Sequence, residues 1–242
     1  RNAVVLYWAR GFESHTLRLK KSLLYRAAFL SSFCTLPGFP SYFDRKYLFN
    51  FSADTKKKFM KGNAAMPISI MLDAGHGGRD PGAVYNGRQE KDDTLRLTLA
   101  VGEILQNHGL DVEYTRTTDI YQSPYEKAME ANNAGVDYFV SIHRNSFPTD
   151  NVVSGVQSLV YNLSGIKLEM AENINDQLEA VGFVNLGVEA RPNLIVLNRT
   201  KMPAVLVEAG FINSNTDNAL FDENFDDIAQ AIASGILDTL NH

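Results

Sequence analysis

The stretch that decides the fold is residues 68–83, ISIMLDAGHGGRDPGA, in which an apolar run passes directly into a histidine surrounded by glycines. The run over residues 68–72 is short and apolar, which is typical of a buried β-strand. His76 follows its carboxyl end, and the surrounding glycines permit backbone dihedrals that other residues rarely adopt. These glycines are Gly75, Gly77, Gly78 and Gly82. A strand that leads an imidazole into such a loop indicates a functional site at the strand end.

Beyond residue 67, predicted strands alternate with predicted helices. Further strands are predicted over residues 110–116, 136–143, 155–161, 193–197 and 203–208. Helices are predicted over residues 93–107, from Pro124 onward, over about 165–180 and over 228–240. The second of these helices has a clear start, because Ser123 can cap it and Glu126 can complete a capping box. This alternation predicts an α/β domain with a largely parallel sheet.

Charge divides the chain into two parts near residues 62–66. Residues 1–65 hold 12 of the 23 Lys and Arg but only 3 of the 28 Asp and Glu, whereas the remainder is strongly acidic. We therefore expect an irregular, basic and aromatic-rich extension over residues 1–65 and a folded domain over residues 66–242. Three interpretations of the extension stay open. The first is an arm that binds anionic surfaces, the second is a secretory signal, and the third is an upstream segment that is disordered or foreign to the functional protein.

Four side chains with acid, base or metal-binding chemistry lie close to predicted strand ends. His143 and Glu208 end the strands over 136–143 and 203–208, and Glu90 lies in the loop after His76, just before the first predicted helix. In open α/β sheets, functional residues gather beyond the carboxyl ends of the strands. Two imidazoles and a carboxylate form an open zinc site, and a further carboxylate can act as general base. Each residue taken singly has an ordinary structural explanation, but their joint placement favours a metal site.

Four motifs in this order resemble the zinc-dependent N-acetylmuramoyl-L-alanine amidases of the Amidase_3 family. They are LDAGHGGRDPGA, QEKD, SIHRN and PAVLVEAGFINSNTD, and the resemblance spans about residues 67–240. It implies a twisted, mostly parallel sheet of six strands flanked by helices. It also implies that His76, Glu90 and His143 bind one zinc ion and that Glu208 is the catalytic glutamate. The implied reaction is hydrolysis of the amide between the lactyl group of N-acetylmuramic acid and the L-alanine of the peptide stem.

The motif after His143 departs from the family pattern, which usually has a small residue where this chain has Arg144. Arg144 either contacts an acidic group of the stem peptide, points away from the site, or crowds it; we favour a tolerated or substrate-facing arginine. The resemblance also suggests Asn145, Arg191 and Asn193 as substrate-binding candidates. For Arg116, which matches another family position, we expect a structural role in holding the loop.

Rival functions follow from the same residues. A zinc peptidase that cuts within the stem peptide would use a similar site, and a wall-binding or regulatory domain would keep the fold with weakened catalysis. The acidic domain argues against nucleic-acid binding, and no apolar run reaches the length of a transmembrane helix. Cys34 is the single cysteine, which excludes an intrachain disulfide. We expect a monomer acting on peptidoglycan at the cell wall or outside the cell, or held in the cytoplasm until lysis.

Overall fold

The computed structural model describes residues 67–240. The predictions for residues 1–65 lie outside these residues. The strands are β1 (Ser69–Ala74), β2 (Val84–Tyr85), β3 (Arg88–Gln89), β4 (Asp111–Tyr114), β5 (Tyr138–Asn145), β6 (Val156–Val160), β7 (Asn185–Ala190) and β8 (Ala204–Phe211). The helices are α1 (Glu90–Asn107), α2 (Pro124–Ala134), α3 (Ile166–Val181), α4 (Ile195–Asn198), α5 (Asn215–Glu223) and α6 (Phe225–Leu240).

Six strands form one central sheet in the order β4-β1-β5-β8-β6-β7. Neighbouring strands run parallel except for β6 and β8, which are antiparallel. Strands β2 and β3 form a separate small hairpin between β1 and α1. The predicted α/β fold with a mostly parallel six-stranded sheet is confirmed.

Helices cover both faces of this sheet because successive strand residues point to opposite sides. On one face, Leu72 and Val140 belong to the larger apolar cluster, which they share with residues of α1, α3 and α6. On the other face, Met71 and Phe139 pack with residues of α2 and α4. None of the helices within residues 67–240 combines the length and apolarity needed to cross a bilayer.

Two helix starts bear on the site and on the sequence predictions. Ser123 caps α2 and forms the full capping box with Glu126, with Pro124 in the first turn, as predicted. Helix α1 begins at Glu90, three residues earlier than predicted, so Glu90 is the first helical residue and does not lie in a loop. Acidic side chains in the first turn favour this earlier start because they interact well with the helix dipole.

The strand predicted over residues 193–197 is wrong. Residues 195–198 form the short helix α4, whose Val196 and Leu197 are apolar because they pack into the second cluster. The sixth strand is instead β7, a half-exposed edge strand whose sequence NLGVEA has little apolar content. Helix α5 was also not predicted. Strand β8 continues three residues past Glu208, which therefore lies within the strand and not at its end.

Candidate metal centre

The loop that leaves β1 is held in place through its backbone carbonyl groups. Arg116 donates from Nε to the Ala74 carbonyl at 3.1 Å and from Nη2 to the Gly75 carbonyl at 2.9 Å. Lys127 donates to the Ala74 carbonyl at 2.7 Å, and the Thr94 hydroxyl donates to the Gly75 carbonyl at 2.8 Å. Three side chains from different elements thereby fix the backbone next to His76, which has a φ of 60°. The expected structural role of Arg116 agrees with these contacts.

Two of the glycines in this loop lie directly against site residues. A Cβ atom on Gly75 would be 2.5 Å from Cε1 of His143. A Cβ atom on Gly82, which has a φ of 67°, would be 2.5 Å from Oε2 of Glu90 and 2.6 Å from Cδ2 of His76. The glycines are therefore needed because the backbone passes too close to His76, Glu90 and His143 for a side chain.

His76, Glu90 and His143 converge at the carboxyl ends of β1 and β5 and the start of α1. Their nearest nitrogen and oxygen atoms all lie within 4.8 Å of one another. The Glu90 carboxylate accepts from Nε2 of His76 at 3.0 Å through one oxygen and from Nδ1 of His143 at 2.9 Å through the other. The imidazole rings meet edge to face with centroids 4.9 Å apart. These three side chains can provide two nitrogen ligands and one oxygen ligand to a metal ion.

The contacts within this group lower the pKa of Glu90 and raise the pKa of His76. Burial alone would raise the pKa of Glu90, but hydrogen bonds from His143 and His76 outweigh it and hold that pKa well below its usual range. Burial lowers the pKa of His76, but the carboxylates of Glu90 and Asp80 more than compensate and raise it to about 8. An ionised Glu90 beside protonated His76 is thus the stable state without a metal. A metal ion bound by these residues would take the place of the proton on His76 as the positive partner of Glu90.

Further contacts orient the donors. His76 donates from Nδ1 to Oδ2 of Asp80 at 2.9 Å, which directs its Nε2 toward Glu90. The backbone N–H groups of Ala83 and Arg144 donate to the two oxygens of Glu90, at 2.9 and 3.1 Å. Carboxylates that hold a metal-binding histidine in this way fix its tautomer and raise its basicity. Sequence reasoning missed Asp80, although an acidic residue four positions after His76 was the available signal.

Glu208 lies on β8 directly beside His143 on β5, because the two residues are register partners of the parallel strands. Its Oε2 atom is buried and has no hydrogen-bond partner within the described part of the chain. Burial raises the pKa of Glu208 to about 7, although the neighbouring imidazoles act in the opposite direction. A buried carboxyl oxygen without a partner is costly for a protein, which indicates that it serves a ligand or a reaction.

The suggested substrate-binding residues lie in different surroundings. Arg144 does not face a substrate: its side chain is 0% exposed and pairs with Asp93 at 2.7 Å. It points away because it follows His143 on the strand and must face the opposite side of the sheet. Arg191 and Asn193 are exposed, and the charge of Arg191 lowers the pKa of Glu208 slightly. Asn145 is half-buried at the end of β5 and accepts a hydrogen bond from the Ser146 N–H at 2.8 Å.

Comparison with known proteins places this fold and these motifs in one family. Residues 70–238 match Amidase_3, described as N-acetylmuramoyl-L-alanine amidase. The sporulation-specific N-acetylmuramoyl-L-alanine amidase of Bacillus subtilis (strain 168) is 37% identical over 180 residues, 72% of this chain and 69% of that protein. The endolysin of Bacillus phage SPP1 is 34% identical over 179 residues, 71% of this chain and 66% of that protein. This chain therefore spans about two thirds of the length of these relatives.

A solved structure agrees with the sequence comparisons. The N-acetylmuramoyl-L-alanine amidase from Clostridium difficile 630 superposes with a TM-score of 0.68 and 30% identity, over 72% of this chain and 97% of that one. The resemblance seen in the four motifs is confirmed, since the match extends over almost all of residues 67–240. The chain belongs to the Amidase_3 family, and the described domain is an N-acetylmuramoyl-L-alanine amidase.

Proposed function

We propose that this domain cleaves the amide between the lactyl group of N-acetylmuramic acid and L-alanine by means of one zinc ion bound to His76, Glu90 and His143. Glu208 is the general base and acid of the reaction. The observation that carries the proposal is the convergence of two imidazoles and one carboxylate beside a buried carboxyl oxygen without a partner. This donor set fits zinc, which accepts nitrogen and carboxylate ligands and keeps a position open in catalytic sites.

The zinc, when bound, supplies a Lewis acid that polarises the scissile carbonyl and makes water more acidic. His76 and His143 bind through neutral nitrogens, and Glu90 contributes the negative charge. Asp80 holds His76 in the tautomer whose Nε2 is free to bind. The hydrogen bonds from Ala83 and Arg144 to Glu90 restrict the rotation of its carboxylate. The protein's contribution is thus to fix the direction of each ligand before the metal arrives.

Glu208 moves the proton. Its carboxylate accepts a proton from the attacking water as oxygen bonds to the carbonyl carbon, and then delivers it to the alanine nitrogen as the carbon–nitrogen bond breaks. A pKa of about 7 suits both directions of transfer near neutral pH. No covalent intermediate with the enzyme is required, and Cys34 lies outside the domain. The products are the lactyl carboxylate and a free L-alanine amino group.

We further propose that the exposed residues near Glu208 contact the stem peptide. Arg191 is the strongest of these, because its guanidinium group is exposed and its partner Glu189, at 3.0 Å, is exposed as well, so that a peptide carboxylate can take the place of Glu189. Asn193 and Asn145 are amide donors and acceptors for the peptide backbone. The enzyme would act as a monomer on the cell wall, either from outside the cell or after release from the cytoplasm. Its relatives named as a sporulation amidase and an endolysin support a role at the wall.

The test uses purified peptidoglycan and the full chain. We expect release of new L-alanine amino termini without new reducing sugar ends, loss of release with a zinc chelator, and recovery when zinc is added back. Glu208→Gln should lower the rate at least ~100-fold while zinc binding is retained, because only the proton transfer is lost. Glu103→Gln is the matched control, since Glu103 is exposed on α1 about 20 Å along the helix from Glu90.

Three other outcomes would contradict parts of this proposal. Full activity of Glu208→Gln would refute the role of that residue. New amino termini other than alanine would indicate a peptidase acting within the stem. A folded, zinc-loaded chain that releases nothing would indicate a wall-binding or regulatory domain.

A further inference from the structure

The guanidinium group of Arg144 lies at the centre of a buried polar cluster behind the metal site. Its Nη1 donates to Oδ2 of Asp93 at 2.7 Å, and its Nη2 donates to Oδ1 of Asn218 at 2.9 Å and to the Phe211 carbonyl at 3.3 Å. The ring of Phe221 lies 4.2 Å from the guanidinium carbon. Arg144 therefore joins β5 to α1, to the end of β8 and to α5.

Two residues of this cluster flank Glu90 in the sequence. Asp93 lies three residues after Glu90, in the first turn of α1. Arg88 lies two residues before Glu90, and its Nε donates to the same Asp93 oxygen at 2.6 Å. Arg88 also forms a paired hydrogen bond with Asp222, at 2.8 and 2.9 Å. Oδ2 of Asp93 thus accepts hydrogen bonds from two guanidinium groups. These contacts fix the chain just before Glu90 and again one helical turn after it.

The backbone of Arg144 also takes part in the metal site. Its N–H donates to Oε1 of Glu90 at 3.1 Å, and the preceding residue is His143. The side chain and the main chain of one residue therefore contact opposite ends of the same helical turn. Any movement of β5 relative to α1 would change both the His143–Glu90 distance and the Arg144–Asp93 ion pair.

We infer that Arg144 is a positioning residue, which acts through Asp93 to fix Glu90 relative to His143 and so sets the affinity of the metal site. The inference rests on the proposed zinc site. Arginine suits this position because its planar group can serve Asp93, Asn218 and the Phe211 carbonyl at once, whereas lysine offers a single point charge. The protein can bury the charge of the Arg144 guanidinium only because these hydrogen-bonding partners compensate for its loss of hydration.

The test measures zinc affinity of the full chain by competition with a chromogenic chelator, beside the melting temperature of the metal-free protein. Arg144→Met should weaken zinc binding about tenfold, and Arg144→Lys should weaken it less. Arg199→Met is the matched control, because Arg199 is exposed at the end of α4, which packs on the opposite face of the sheet from Arg144. We expect Arg199→Met to bind zinc with wild-type affinity.

Asp93→Asn keeps the shape of the side chain but removes the carboxylate that Arg144 and Arg88 share, and it serves if Arg144→Met does not fold. It should weaken zinc binding in the same direction. Wild-type affinity in a folded Arg144→Met protein, or in Asp93→Asn where only that variant folds, would overturn the inference, even if the melting temperature falls. A wild-type chain that binds no zinc would instead overturn the proposed function, and the inference with it.

Discussion

At the scale of single residues, the site requires glycine at positions where a side chain would clash with His143, Glu90 or His76. Gly75 and Gly82 allow the backbone to pass against the imidazole of His143 and the carboxylate of Glu90. The glycines around His76 are thus explained by close contacts and, at Gly77, Gly78 and Gly82, also by a positive φ. Gly75 differs from Gly82 because its backbone conformation is one that alanine can adopt, so a substitution there tests the contact alone.

Gly75→Ala should weaken zinc binding about tenfold, because the added methyl group would overlap the His143 ring and displace a ligand. Gly87→Ala is a suitable control: Gly87 has a φ of 83° but open space around it, so alanine should cost about 1 kcal/mol of stability and no metal affinity. Chelator competition measures the first effect and urea denaturation the second. Unchanged zinc affinity in Gly75→Ala would mean that His143 can move without loss.

At the scale of secondary-structure elements, one buried carboxylate joins the strands that carry the site. Asp73 on β1 accepts from the Thr115 hydroxyl after β4 at 2.7 Å and from the Ser141 hydroxyl on β5 at 2.6 Å. Nζ of Lys127 on α2 lies 2.8 Å from Asp73 Oδ1, the oxygen that also accepts from Thr115, and it donates to the Ala74 carbonyl in the loop before His76. Four segments, β1, β5, α2 and the end of β4, are therefore linked through Asp73, three residues before His76.

This linkage predicts a specific sensitivity to acid. Burial would raise the pKa of Asp73, but Lys127 and Ser141 outweigh it and hold the pKa below its ordinary value of 3.8. Because the folded state lowers the pKa, the stabilisation is present above the ordinary value and is lost as pH falls through the folded one. The free energy of unfolding of the wild type should therefore fall as the pH is lowered from about 5 through the ordinary value of 3.8 and below, and that of Asp73→Asn should fall less. Urea denaturation across this range checks it; equal slopes for the two proteins would contradict it.

At the scale of the whole molecule, the described residues contain the six-stranded sheet and the helices on both of its faces. Both apolar clusters are built from residues within 70–236, and the family match ends at residue 238. We predict that a chain of residues 66–242 folds and keeps the amidase activity of the full chain, because its core and its site come from this part. Melting temperature and release of L-alanine amino termini measure this. A melting temperature lower by several degrees, or lost activity, would show that residues 1–65 contribute to the folded enzyme.

Much of the fold could be predicted because most of its elements carry local signals. The apolar runs of β1, β5, β6 and β8 identified four of the six sheet strands, and the capping box identified the start of α2. Strand β7 had no such signal, because an edge strand buries few side chains and needs no apolar run. The apolar residues of α4 suggested a strand instead, since a short buried helix and a buried strand have the same composition.

The sequence by itself identified the four residues of the candidate site, since His76, Glu90, His143 and Glu208 stand in motifs that local order and family resemblance single out. Only the tertiary structure decided what surrounds them. It buried the side chain of Arg144 beside Asp93, joined Asp80 to His76, and brought Asp73 to Lys127. The physical reason is that the kind of side chain is a local property, whereas its burial and its partners depend on segments far away in the chain. A charged residue next to a ligand can therefore face solvent or the interior, and only the packing of β5 against α1 and α5 decides which.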